Sequence, residues 1–358
     1  MKDKKRFLFL DLLRGIAVIE MINGHSLDAL LSISQKSSLF YQTWMHVRGY
    51  TAPLFLFASG ISFALSTIDR KEYLVFSEKL FTRIRRILFI ILLGYTLHLP
   101  YFSLRKILLY SKFNDWNNFF NVDILQCIGV SLLILQFFYF ITKKEKFFLI
   151  TNFFLIFIFS ILSFFINKGF EPDLPLFFYK YFKNSNFPLT PFSIYLFSGV
   201  FLGYLVIKKE NKNFYFIIFA LINFLIYLLL KPFTNFVASI YFKIFNLTLL
   251  SLILYQLENK ENKFLNIIKI LGMESLLVYY SHLLVVYGSA FNKTSLKSLF
   301  SGSLSFFEIY LIIFTLIFLF TFISLFWNYL KREKKNLSNV IKYSIYFYFL
   351  FNLLLRPY

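Results

Sequence analysis

Apolar residues in this chain fall in blocks of 17 or more, separated by short charged clusters. Blocks such as FYFIIFALINFLIYLLL (214 to 230) and SLSFFEIYLIIFTLIFLFTFISLFW (303 to 327) are apolar around the whole helical circumference, whereas a soluble helix keeps a polar face. The pattern predicts an all-α, polytopic membrane protein whose apolar surface faces lipid. Windows of about 19 residues predict eleven transmembrane helices, within a range of 10 to 12, near 7–31, 50–68, 84–101, 122–142, 147–166, 190–207, 214–230, 234–255, 266–289, 304–330 and 338–355. Lys342 interrupts the last, and the ninth is expected to begin as a short interfacial segment broken at Gly272. No repeat of 20 to 50 residues and no soluble segment is visible, so 1–358 reads as a single transmembrane domain. Of the longer outer loops, 102–121 contains LRKILLYSKF, suited to an interfacial helix. The other, 167–189, holds Pro172, Pro175 and Pro188 and is expected to be irregular.

Composition agrees: 58% of the 358 residues are hydrophobic and 22% aromatic, with only 16% charged. A net charge of +20 in a soluble protein would suggest nucleic acid, but its distribution explains it otherwise. With a cytoplasmic N-terminus, the inner segments carry 23 of the 38 Lys and Arg, as the positive-inside bias requires. The expectation is a multi-pass protein of the cytoplasmic (inner) membrane, in contact with membrane lipid and not with nucleic acid. The opening KDKKR before an apolar run is also how a signal peptide begins. This run carries charges and is followed by no small-residue cleavage pattern, so it reads as a retained span. The single cysteine, Cys127, excludes an intrachain disulfide framework and a cysteine metal cluster. Its simplest role is a small buried hydrophobe.

The first span, RFLFLDLLRGIAVIEMINGHSLDALL, carries Asp11, Arg14, Glu20, Asn23, His25 and Asp28. An ionised group near the bilayer centre costs roughly 2.5 to 3.5 kcal/mol on insertion scales, so anchoring alone does not account for them. At about 100° per residue, Asp11, Arg14, His25 and Asp28 share one arc, while Glu20 and Asn23 point elsewhere. Arg14 and His25 are roughly 16 Å apart along the axis, a cation toward the cytoplasmic end and an imidazole toward the outer end. A histidine titrates near neutral pH and, with Asp28 at i+3 to hold its tautomer, is a candidate general base. The plainer reading is that Arg14 with Asp11 and His25 with Asp28 form pairs that glue spans together.

The segment TRIRRILF places Arg83, Arg85 and Arg86 at the inner mouth of the third span. Arg83 and Arg86 share a face at i, i+3, which suits gripping phosphates; an ordinary positive-inside cluster is the alternative. The four histidines are His25, His46, His98 and His282, and no H-x-x-x-H pair or comparable spacing suggests a metal site. Ser59-Gly60 in PLFLFASGIS reads as close helix packing rather than a nucleophile.

The ordered series DLLRGIAVIEMINGH, PLFLFASGIS, RIRRIL, DILQCIG, FPLTPFSIYLFSGVFLG and GMESLLVYYSH resembles heparan-alpha-glucosaminide N-acetyltransferase and its bacterial relatives, over about residues 6 to 290. The arginine, ten residues, then histidine spacing and the R-x-x-R are also similar to the acyltransferase-3 family. The resemblance implies transfer of an acetyl or other acyl group from cytosolic acyl-CoA, as co-substrate, to an amino or hydroxyl group of a sugar beyond the membrane. In that picture Arg14 with Asp11, and Arg83 with Arg86, serve the CoA end, and His25 with Asp28 is the base. Gln126, Tyr279 or His282 is an oxyanion donor.

In the animal lysosomal enzyme the active-site histidine lies beyond the first span, so His46 rivals His25, and Glu274 stands where asparagine is common. That enzyme's soluble N-terminal extension is absent here, which favours an envelope glycan or glycolipid as acceptor; a homodimer is compatible with the reading. A transporter or flippase using the stripe as a relay is the alternative, and it calls for paired repeats with broken helices that the sequence does not show. A third reading makes the stripe an assembly surface of an envelope machine.

Overall fold

The computed structural model describes residues 7–68, 70–260 and 262–356. The KDKKR cluster used above for orientation lies outside them. Among the described residues there is no β-strand, only isolated bridges such as Leu31 with Leu304.

In chain order, α1 (Leu8–Leu30) is followed by α2 (Ile33–Lys36) and α3 (Leu39–Arg48). Then come α4 (Thr51–Thr67), α5 (Glu78–Leu97) and two short helices, α6 (Leu104–Tyr110) and α7 (Phe113–Phe119). The middle of the chain forms α8 (Ile124–Thr142), α9 (Glu145–Asn167), α10 (Leu176–Phe182), α11 (Leu189–Lys208), α12 (Lys212–Leu230) and α13 (Asn235–Tyr255). The last part holds α14 (Lys263–Met273), α15 (Ser275–Val286), α16 (Leu296–Phe300), α17 (Phe306–Glu333) and α18 (Lys335–Leu355). These helices form two compact units: residues 1–51, 97–119 and 259–358, and residues 52–96 with 120–258.

Each of the eleven expected stretches is helical. Among the described residues, seven helical stretches are long and apolar enough to cross a membrane, one of them Leu39–Thr67, which takes α3 and α4 together, and α14 with α15 would be an eighth. The other three stretches are α1, α5 and α18, of 23, 20 and 21 residues. Charge or a high share of polar residues sets these three apart from the rest.

Three local expectations change. The loop assigned to His46 is helical, because Ser38 caps α3 by accepting from the Tyr41 N–H. The loop 167–189 contains α10, whose N-cap is Pro175; fixed φ makes proline a helix opener as well as a breaker. The ninth stretch breaks at Glu274, with a bend of 74°, and not at Gly272. Gly272 stays helical because it is needed elsewhere: a Cβ there would overlap the Asp11 carbonyl oxygen, as one at Gly15 would overlap the carbonyl of Ile268. The two glycines let α1 and α14 lie backbone to backbone, the small-residue packing that lipid-immersed helices use. Glu274, buried at the bend, is met by Lys331 and by Asn328 from α17 (Nδ2 to Oε1, 3.1 Å).

The second unit uses the same device. Gly60 of α4 lies against the Leu196 carbonyl of α11, and Gly199 against that of Phe57. The Ser59-Gly60 pair thus sits at a close helix crossing, and Cys127 is fully buried.

Replacing Gly272 by valine forces α14 off α1, at a cost of about 1–3 kcal/mol. The purified Gly272→Val protein is expected to melt below the wild type in detergent, and an unchanged melting temperature would mean that this seam is not a close contact.

Candidate active site

The residues of the stripe toward the C-terminal end of α1 meet three other elements of the same unit. Tyr287 caps the C-terminus of α15, where Gly288 takes φ 77° and Asn292 Nδ2 donates to the Leu284 carbonyl (2.9 Å), turning the chain sharply. The turn holds the Tyr287 hydroxyl 3.2 Å from His25 Nδ1 and 3.1 Å from Asp28 Oδ2. Arg48 of α3 donates from Nη1 to Asp28 Oδ1 (3.3 Å), and Lys36 of α2 donates to the Asp28 carbonyl (2.6 Å). Lys297 of α16 lies 5.5 Å from the centre of the Tyr287 ring. The carboxylate of Asp28 is therefore met by one cationic donor, Arg48, and a phenol, while Lys36 holds the backbone carbonyl of the same residue and Lys297 lies behind the phenol.

Hydrogen-bond chemistry gives this cluster a direction. An ionised carboxylate only accepts, and a phenol has one hydrogen. Tyr287 therefore donates to Asp28 and accepts from His25 Nδ1–H. That order puts the His25 lone pair on Nε2, the state a general base needs. The expected direct clasp of His25 by Asp28 is in this structure a relay through Tyr287.

His282 is fully buried on α15, with its ring centre 5.3 Å from that of His25 and 5.9 Å from that of Tyr279. Its Nδ1 donates to the Val278 carbonyl, 2.9 Å away. Neutral His282 then carries no hydrogen on Nε2, so it would stabilise an oxyanion only as an imidazolium. Tyr279 is buried beside it.

The remaining candidates stand as follows. Arg14 pairs with Asp11 at 3.8 Å near the other end of α1, as the plainer reading of that pair expects. His46 is exposed on α3; two residues further on, roughly 200° around the helix, Arg48 is the side chain that reaches Asp28. In the second unit Gln126 is fully buried and accepts from the Asp123 N–H (3.2 Å) in the capping box that starts α8.

Arg83 is also engaged internally. Nη1 donates to Thr67 Oγ1 (2.6 Å) and Gln136 Oε1 (3.1 Å), Nη2 to the carbonyl and hydroxyl of Ser66 (3.0 Å each). Its guanidinium stacks 3.5 Å from the Tyr73 ring centre. Four hydrogen bonds to α4 and α8 occupy most of the donors expected for phosphate, whereas Arg85 and Arg86 are exposed. Among the described residues no group of three or more His, Cys, Asp or Glu is placed to hold a metal ion.

The chain matches the family description "Heparan-alpha-glucosaminide N-acetyltransferase, catalytic" over residues 6–242, well over half its length. It belongs to that family. A search of curated proteins finds no match. Membership makes this a multi-pass membrane protein of an acetyltransferase family. The matched region of this family member contains His25, Asp28 and Arg48, while His282 and Tyr287 lie beyond it.

Sequence reasoning missed Tyr287, Arg48 and Lys36. Arg48 sat in view, two residues from His46 in WMHVRG, and Tyr287 closes the helix that holds Tyr279 and His282; neither carries a spacing that points to α1.

Arg83→Ala leaves Thr67, Gln136 and Ser66 without their donor and is expected to lower stability by about 2–4 kcal/mol. Denaturant or thermal unfolding in detergent reads this directly. Unchanged unfolding together with weakened binding of an anionic ligand would restore the phosphate-gripping role.

Proposed function

We propose that this chain is an integral membrane acetyltransferase that moves the acetyl group of cytosolic acetyl-CoA, or a related acyl-CoA, onto an amino or hydroxyl group of a carbohydrate beyond the cytoplasmic membrane. The observation that carries the reading is the Tyr287 hydroxyl set between His25 Nδ1 (3.2 Å) and Asp28 Oδ2 (3.1 Å), within a chain whose family is one of N-acetyltransferases. His25 Nε2 takes the proton of the acceptor as its nitrogen or oxygen attacks the thioester carbonyl. The new bond to carbon forms, the tetrahedral intermediate collapses, the carbon–sulfur bond breaks, and the proton passes from His25 to the departing thiolate.

Asp28 and Tyr287 are positioning residues in this scheme: they keep hydrogen on Nδ1 and favour the imidazolium that forms in transit. Arg48 holds the Asp28 carboxylate in place and Lys36 its backbone carbonyl. The cations proposed for the CoA phosphates are Arg14, a quarter exposed beside Asp11, and the exposed Arg85 and Arg86. The proposed acceptor is an envelope glycan or glycolipid.

The test pairs acetyl-CoA binding, read by thermal shift, with transfer of radiolabelled acetyl to amino-sugar acceptors. His25→Ala is expected to bind acetyl-CoA as the wild type does and to lose transfer by about 10²–10⁴-fold. Tyr287→Phe and Asp28→Asn should each slow turnover, with the double variant little worse than the poorer single one, because residues acting as a unit are not additive. Absence of acetyl-CoA binding by the wild type at millimolar concentration would overturn the proposal and return the α1 stripe to a relay role.

A further inference from the structure

The second unit contains a cavity of about 830 Å³ walled by α9, α11, α12 and α13, distinct from every residue invoked above. Phe157, Phe164, Phe201, Ile226 and Phe233 supply much of its lining. Four of the five polar side chains in the wall, all but Ser198, are turned to partners within the protein. Ser160 and Tyr241 share a hydrogen bond of 2.8 Å, Asn223 Nδ2 donates to the Phe219 carbonyl (2.8 Å), and Thr234 Oγ1 accepts from the Val237 N–H. What faces the cavity is hydrocarbon, which suits neither a sugar nor a nucleotide.

Three observations identify the occupant. The walls include exposed residues, Phe153 (59%) and Phe157 (54%) on α9 and Phe233 (77%) just after α12, so the rim meets membrane rather than a protein core. An empty apolar space of this size forfeits dispersion contacts along its whole lining, and in a bilayer the available filler is a hydrocarbon chain. The lining on α9 runs from Phe153 to Phe165, roughly 18 Å of helix, close to the depth of one leaflet of a hydrocarbon core about 30 Å thick. At the end where both helices finish, Lys168 follows the lining residues Phe164 and Phe165, and Lys231 follows the lining residue Leu230; both lysines are exposed. Their ammonium groups lie 5.9 Å from the Phe164 ring centre and 5.6 Å from that of Tyr227. The nearby Glu171 is occupied by Lys183 and Tyr179.

We propose that this cavity binds an anionic phospholipid, its acyl chain running from the helix ends to the membrane midplane and its phosphate held by Lys168 and Lys231. The site is independent of the acyl-transfer reading and stands or falls separately from it.

The experiment is native mass spectrometry of the detergent-purified full chain, titrated with dioleoylphosphatidylglycerol and, in parallel, with dioleoylglycerol, which has the same chains and no phosphate. The wild type is expected to retain the phospholipid about tenfold more strongly, as two cations near a headgroup allow. Lys168→Gln with Lys231→Gln should bring the two lipids level. Ile226→Trp, which fills the cavity, should weaken phospholipid retention by about tenfold or more. Ile222→Trp, a half-exposed residue of the same wall, gives the same readout where folding does not depend on the side chain. Wild-type retention in both tryptophan variants, or an undiminished phosphate preference in the double lysine variant, would overturn the proposal.

Discussion

No water inside a bilayer takes up the hydrogen bonds of an ionised side chain, so the polar groups on a membrane helix find their partners within the protein itself. Asp28 shows the constraint at work. Its two carboxylate oxygens and its carbonyl are met by Tyr287, Arg48 and Lys36, from three different elements. One acidic residue thereby ties α1 to α2, α3 and the end of α15. The glycine seam of Gly15 and Gly272 supports the same arrangement from the other end of α1, since α14 leads directly into α15 through the bend at Glu274.

The groups that satisfy this constraint also set up the chemistry. A phenol between an imidazole and a carboxylate has one hydrogen to give, and the carboxylate can only receive it. With that hydrogen given to Asp28, His25 Nδ1 is the group left to donate to the phenol oxygen. Structural glue and catalytic preparation are therefore not rival accounts of the stripe at this end: the contacts that make a charged helix tolerable in lipid are the ones that aim the imidazole's lone pair. At Arg83 in the second unit, the same demand for partners is met by contacts that have only a structural consequence in view.

Much was legible in the residues themselves. The all-α membrane architecture followed from apolar blocks too long and too uniform for a soluble core, and the family followed from an ordered series of motifs starting in α1. His25 and Asp28 could be named because helical geometry is local: residues three apart share a face whatever surrounds them. Gly60 announced close packing for a similar reason, since a residue without a side chain in an apolar span has few other uses.

What lay beyond the sequence was the identity of each partner. Tyr287 is 259 residues from Asp28, and no periodicity connects them. Arg83 was expected to face a ligand, and only the packing of α4 and α8 shows that its donors are spent inside the unit. The break after α14 fell at Glu274 because Gly272 was committed to the Asp11 backbone, a contact between segments far apart in the chain. Local spacing determines which face of a helix a side chain occupies. Which hydrogen-bond donor or acceptor meets it there depends on the folded chain, because in lipid that choice is made by distant segments and not by water.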